Sequence, residues 1–324
     1  MKDWLEIFKY DPIPPLIGSK NEAISYFTHR DLLNEKVEPI ETLWQLSAAQ
    51  KILRKQRADG SWKYPGKGKS QETNYDVFHT IKTLRLLVGL YQFNKMHPAI
   101  RKAVDSILSF QTAEGDIRGI YGIQYSPNYS SVAIENIIKA GFEEDPRVVK
   151  FLDWILSVRQ DDGGWAIPLR TARISYKEAI TKSKPIQPVK SRPSSHWVTD
   201  LVLRALTAHP NYLKSKEARE AGTLLLSRFF KPDKYSDRRD AEYWTKFSYP
   251  FFWGDLLSSL NSLSLIGFSK DEPQIKRGLD WFIDRQESNG LWHEKMLMFG
   301  NNEIAYLWLS LAVCRVFKRF YTTR

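Results

Sequence analysis

Two histidines in this sequence stand one helical turn from a carboxylate. Asp76 and His79 are three residues apart, and His196 and Asp200 four, so on a helix each pair shares a face. An imidazole held by a carboxylate is a general acid or base suited to neutral pH. Glu135, Asp255 and Glu303 stand in comparable segments and would face the same cavity if those segments ring an axis. Each residue also has a plainer use, as a helix cap or a satisfied buried partner. Asp255, two residues after Trp253, reads as a helix-start acid.

Rings and cations accompany these groups. Tyr75, Tyr129, Trp197 and Trp253 each stand near the start of an apolar segment, and the run 243–253 is the densest aromatic stretch of the chain. Such rings line a lipid cavity, stack on sugars, or fill a core. Arg170 and Arg173 open a basic stretch, 166–192, that carries one acid, Glu178. It reads either as a solvated loop or as a clamp for an anion.

Other chemistries find no support. Cys314 is the single cysteine, which removes a disulfide framework and every thiolate zinc site that needs two ligands. No His-x-x-x-His, EF-hand loop, phosphate loop or nucleophile elbow occurs, so no metal and no cofactor is expected. The net charge of +11 comes without a basic recognition helix, so nucleic acid is not the expected partner. No apolar run reaches the length of a membrane span, and the N-terminus lacks a signal-peptide pattern. The expectation is a cytoplasmic protein with a small lipid-like or acidic ligand, for which peripheral membrane contact stays open. Nothing in the sequence fixes the oligomeric state.

The elements that must position these groups repeat. Gln56, Gln111, Gln160 and Gln286 each end an amphipathic segment, at spacings of 55, 49 and 126 residues. A fifth unit, ending in Arg228, falls inside the last interval. Periods of fifty to sixty residues suit helix-pair repeats. The second helix of a pair starts at proline, as in 97–111, 145–160 and 272–286, and carries a charged stripe. The first, as in 75–90, 129–141, 196–208, 253–267 and 302–314, is less charged and predicts an inner helix. Segments 21–33 and 40–56 supply the opening pair. Long connections, among them 57–72, 161–195 and 230–251, alternate with short ones, so all would lie on one face.

The turns QRADGSW at 56–62, RQDDGGW at 159–165 and RQESNGLW at 285–292 combine a helix-ending glutamine, a glycine and a tryptophan. They resemble the glutamine–tryptophan repeats of the terpenoid cyclase and protein prenyltransferase superfamily, over most of the chain. Together with YFTHRDLL at 26–33, they resemble prokaryotic single-toroid members of unassigned role. The resemblance implies an all-α fold, an α/α toroid in which about five to six helix hairpins form a double ring. One domain would span 1–324, with the basic loop 166–195 and the aromatic loop 230–251 inserted at the mouth.

It also implies a polyprenyl or lipid-like anionic ligand in a central aromatic cavity. If the chain is an enzyme, the implied class is a cyclase-like isomerase or lyase, or a transferase. The sequence departs from the family's known activities. The Asp-x-Asp-Asp acid of class II cyclases, the Asp-x-Cys zinc site of prenyltransferases and the thioester motif of complement-like toroids are all absent. Two alternatives stay open: a lyase or hydrolase acting on acidic sugars through the five acid–base residues, and a non-catalytic scaffold.

Overall fold

The computed structural model describes residues 3–66, 74–298 and 300–322, so the end of the expected 57–72 connection lies outside the described residues. Helices α1 (Ile13–Ile17), α2 (Glu22–Phe27) and α3 (Ser47–Leu53) precede the long pairs. Then follow α4 (Tyr75–Tyr91) with α5 (Pro98–Leu108), and α6 (Pro127–Ile137) with α7 (Pro146–Ser157). Two short helices, α8 (Pro168–Thr171) and α9 (Tyr176–Ala179), interrupt the next connection. The last are α10 (His196–Ala208) with α11 (Lys216–Arg228), α12 (Leu256–Ile266) with α13 (Pro273–Arg285), and α14 (Glu303–Tyr321). Among the described residues there is no β-strand, only isolated bridges, and the chain is an all-α toroid.

Capping explains where the helices begin. Proline opens α5, α7 and α13, where its missing N–H costs nothing. Asn74, Ser195, Asp255 and Asn302 cap the inner helices α4, α10, α12 and α14 with their side-chain oxygens. The expected helix over 40–56 is broken instead. Residues 40–45 form a 3₁₀ turn and Leu46 is extended, which lets Trp44 stack on Phe93 at 5.1 Å. Local helical preference yields there to aromatic packing.

Around the axis α4, α6, α10, α12 and α14 pack in succession, and the first four each pair outward with the helix that follows. The N-terminal segment closes the ring. α2 and the π-turn after it (Thr28–Leu32) pack on α14, while Arg30 donates to Gln92 Oε1 at 2.7 Å, at the end of α4. In the outer ring, Gln286 Nε2 donates to Tyr10 O at 2.7 Å and Tyr10 N donates to Gln286 Oε1 at 3.1 Å. The last repeat thus holds the first residues of the chain.

The repeated turns have one geometry. Trp62, Trp165 and Trp292 each donate their indole N–H to the carbonyl ten residues earlier, on Ile52, Ile155 and Phe282. Each also donates its main-chain N–H, at 3.0 Å, to a hydroxyl on the following inner helix: Thr80, Thr199 or Ser310. Gln56, Gln111 and Gln286 donate both to the glycine carbonyl four residues on and to the backbone at the next outer position. One turn therefore binds three neighbours. Gly60 and Gly290 hold positive φ, and a Cβ at Gly290 would stand 2.5 Å from Asp11 O. Only glycine meets both demands.

Candidate functional site

The sequence-predicted residues do not meet in one place. Asp76 accepts from Arg57 Nη1 at 2.9 Å and Tyr64 N at 2.8 Å, so it holds the preceding loop. His79, three residues on, is half-buried with its ring near Tyr64, and burial and then Lys82 lower its pKa. His196 is buried against Trp244 at 4.5 Å, 3.3 Å from Asp233 Oδ2 but without an aligned hydrogen bond. Burial lowers its pKa to about 4, so it is neutral near pH 7. Asp200 accepts from Ser258 Oγ at 2.7 Å and Ser259 Oγ at 2.6 Å, deep inside the ring. Glu303 is exposed. The convergence that an acidic-sugar lyase would require of these five residues is not formed.

Asp255 is a helix cap, in a capping box with Ser258. Burial pushes its pKa up to about 7 and that of Asp200 up to about 6. Both carboxylates belong to a buried polar core that includes Glu135 and Arg204. Arg204 Nε donates to Glu135 Oε2 at 2.9 Å, and its Nη1 lies 3.6 Å from Asp200 Oδ2.

The axis of the toroid is not an open cavity. The aromatic run expected at the mouth instead descends into the ring, and residues 248–253 touch inner helices on several sides. Arg204 on α10 donates to the carbonyls of Trp253 and Phe252, at 3.1 and 3.4 Å. Arg85 on α4 donates to the carbonyl of Pro250, and Phe252 packs against Phe78 of α4 and Tyr129 of α6. Tyr249 stacks on Trp308 of α14 at 5.8 Å. Gly89 supplies the space, since a Cβ there would meet Pro250 at 2.4 Å. Two fully buried guanidiniums binding main-chain carbonyls are what let a polar, non-helical segment lie in the core.

This segment separates two pockets. One lies at the mouth where the inner helices begin, has a volume of about 310 Å³, and holds three of the expected residues, Tyr75, Tyr129 and Arg170. Phe78, Tyr121 and Tyr176 complete its aromatic wall, with Ile120, Ile167 and Leu169. Tyr121 and Tyr129 stand 5.7 Å apart, and burial holds both phenols above their ordinary pKa. The positive charge at this mouth is tied down, because Arg170 makes a two-pronged bond to Asp237 at 2.6 and 2.9 Å. Arg173, Lys177, Lys182, Lys184, Lys190 and Arg192 are exposed and do not line the pocket. The basic stretch is thus a solvated surface on an ordered loop, held by Gln160 Nε2 on the carbonyls of Val189 and Arg192. Trp197 and Trp253 stand beside this mouth, 5.9 Å apart, with Arg238 lying 3.9 Å over the Trp253 ring.

The second pocket, of about 880 Å³, opens where the inner helices end, and no candidate site residue of the sequence lines it except Glu135. Lys139, Arg315, Lys318 and Arg319 face it together with Asp31 and several side-chain amides. These residues lie far apart in sequence, on three elements, and form no local motif. The detectable signal was the presence of Arg85, Glu135 and Arg204 inside mostly apolar inner helices. Among the described residues no group of His, Cys, Asp or Glu forms a metal site, and no helix is long and apolar enough to cross a membrane.

No family model matches the sequence. A stretch of 148 residues, 43% of the chain, is 26% identical to a probable squalene–hopene cyclase from Sinorhizobium fredii, and covers 22% of that protein. Among solved structures, the type II terpene cyclase MstE from Scytonema, in complex with geranylgeranyl dihydroxybenzoate, aligns over 87% of this chain and 84% of its own at 12% identity and TM-score 0.41. A protein from Actinoplanes aligns over 87% of both chains at 14% identity and TM-score 0.41. A polysaccharide lyase aligns over 86% of this chain and 85% of its own at 11% identity and TM-score 0.43. Over the matched 148 residues the chain is similar to a squalene–hopene cyclase, and it spans about a fifth of the length of the cyclase it matches.

Proposed function

We propose that this chain is a ligand-binding toroid whose aromatic mouth takes a compact lipid-like molecule of isoprenoid type. The observation that carries the reading is the five-ring wall of Tyr75, Phe78, Tyr121, Tyr129 and Tyr176 around a 310 Å³ space. That volume is at the lower end for small-molecule sites, so it suits one short chain rather than a long folded one. The sequence likeness to a squalene–hopene cyclase supports an isoprenoid as the ligand class. A polar head group would meet Arg170, the cation in the wall. Asp237, the carboxylate of the same wall, is bound by Arg170 and is poorly placed to protonate an alkene. The reading is therefore binding rather than acid-driven cyclisation.

Calorimetric titration with geraniol and farnesol tests it. Saturable binding is expected, weakened at least tenfold in Tyr129→Ala. Absence of saturable binding to the wild-type chain, or equal affinity in the variant, would count against the proposal.

A further inference from the structure

The larger pocket, at the opposite mouth, plays no part in that reading. We propose that it binds a phosphate monoester carried on a hydroxylated scaffold, the sugar-phosphate class of ligand. Among the described residues its wall holds four cations, Lys139, Arg315, Lys318 and Arg319, against two carboxylates, Asp31 and Glu135. The surplus of two positive charges matches a phosphate monoester, which carries about −1.5 to −2 at neutral pH. Behind the wall, Arg85 adds a further charge. It is fully buried, forms no ion pair among the described residues, and leaves its Nε without a partner.

The cations are not simply closing the ends of their own helix. Arg319 Nε donates to Ser264 Oγ at 2.9 Å and its Nη2 to Asn261 Oδ1 at 2.5 Å, both on α12. Arg315 donates to Asp31 Oδ2 and, at 2.6 Å, to the Tyr249 hydroxyl. These bonds fix each guanidinium fork at the pocket wall, and a fixed fork loses less freedom on gripping a tetrahedral oxyanion.

Two of these cations, and Arg30 beside them, orient the amides. Asn34 Oδ1 accepts from Lys318 at 2.7 Å, Gln92 Oε1 from Arg30 at 2.7 Å, and Asn261 Oδ1 from Arg319. An amide that gives its oxygen to a cation turns its NH₂ the other way. Three NH₂ groups are thereby left as donors at the pocket, with no protein acceptor among the described residues. Fixed donors and surplus positive charge select a ligand rich in oxygen acceptors. The volume of about 880 Å³ far exceeds a bare ion, and Phe251 and Leu265 give an apolar floor for a ring.

Titration of the whole chain with glucose 6-phosphate, glucose, inorganic phosphate and glucuronate tests the proposal. The expected result is saturable binding of glucose 6-phosphate, at least tenfold tighter than any of the other three. Arg319→Gln and Lys139→Gln should each weaken it tenfold or more, with circular dichroism and farnesol binding as in the wild type. Lys139 is the safer variant for folding, because Arg204 still pairs with Glu135 in its absence. The proposal is overturned by no saturable binding of glucose 6-phosphate to the wild-type chain, by equal binding of glucuronate, or by wild-type affinity in both variants. Failure of farnesol to bind would touch the other mouth alone.

Discussion

The two mouths of this toroid are built from the same helices and could hardly differ more. Where the inner helices begin, rings from α4, α6 and the connecting loops enclose a small apolar space, and the one arginine is neutralised by Asp237. Where they end, polar side chains line a space almost three times as large. Helix termini alone would favour the reverse, with anions drawn to the N-terminal mouth. Side chains decide the matter here. The caps Asn74, Ser195, Asp255 and Asn302 use up N–H groups at one end, whereas Arg315, Lys318 and Arg319 outweigh the carbonyl ends at the other.

The contrast exists because residues 248–253 stand between the mouths, and the most damaging change should be one that releases them. Arg204→Met removes two carbonyl contacts and leaves Glu135 and Asp200 buried without their guanidinium. A loss of about 3–5 kcal/mol is expected in urea denaturation, with ligand binding reduced at both mouths together. Loss at one mouth only would show that the central segment does not couple to both.

Gly290→Ala comes next. It forces a side chain into the backbone at Asp11 and should cost about 2–3 kcal/mol. Because the damage lies in the outer ring, thermal unfolding should shift while both ligand affinities at low temperature stay near wild type.

The buried acids make a smaller, pH-dependent contribution. The pKa values of Asp200 and Asp255 are raised by burial, so the folded state binds these protons more tightly than the unfolded chain. Their contribution is fully present below about pH 4 and is lost as pH rises towards 6 and 7. His196 acts in the opposite sense. Its lowered pKa makes stability fall as pH drops from about 6.5 towards 4. Asp200→Asn should therefore lessen the decline between pH 4 and 6, seen as a flatter profile of urea midpoints. An unchanged slope would contradict the assignment.

The smallest effect should come from the exposed loop. Lys184→Gln with Lys190→Gln should change stability by less than about 0.5 kcal/mol and leave farnesol binding as it was. A clear loss of affinity would mean that these lysines turn inward when ligand binds.

Much of the fold was legible because its signals are local. Proline after a cap, apolar period and the glutamine–tryptophan turns placed most helices within a few residues, and the hydroxyls that receive Trp62, Trp165 and Trp292 sit one repeat further on. The break at Leu46 was not legible, since it depends on Trp44 reaching Phe93. The candidate site was legible in part. Tyr75, Tyr129 and Arg170 do line a pocket, but the carboxylates and histidines chosen for helical spacing serve loops, caps and the core. Spacing places two residues on one face without saying what the face meets. The run 243–253 was read as rim because aromatic density does not distinguish a mouth from an axis. Its true place is dictated by partners at Arg85, Gly89 and Arg204, which only the closed ring brings together.

Residue-resolved hydrogen exchange of the native chain probes the central segment directly. The amides of Phe252 and Trp253 both donate to Ser248 Oγ in the buried interior. They should exchange as slowly as amides of α10 and far more slowly than those of the surface stretch 234–240. Exchange at surface-loop rates would mean that the axis is open, that the two mouths share one cavity, and that the separation described above does not exist.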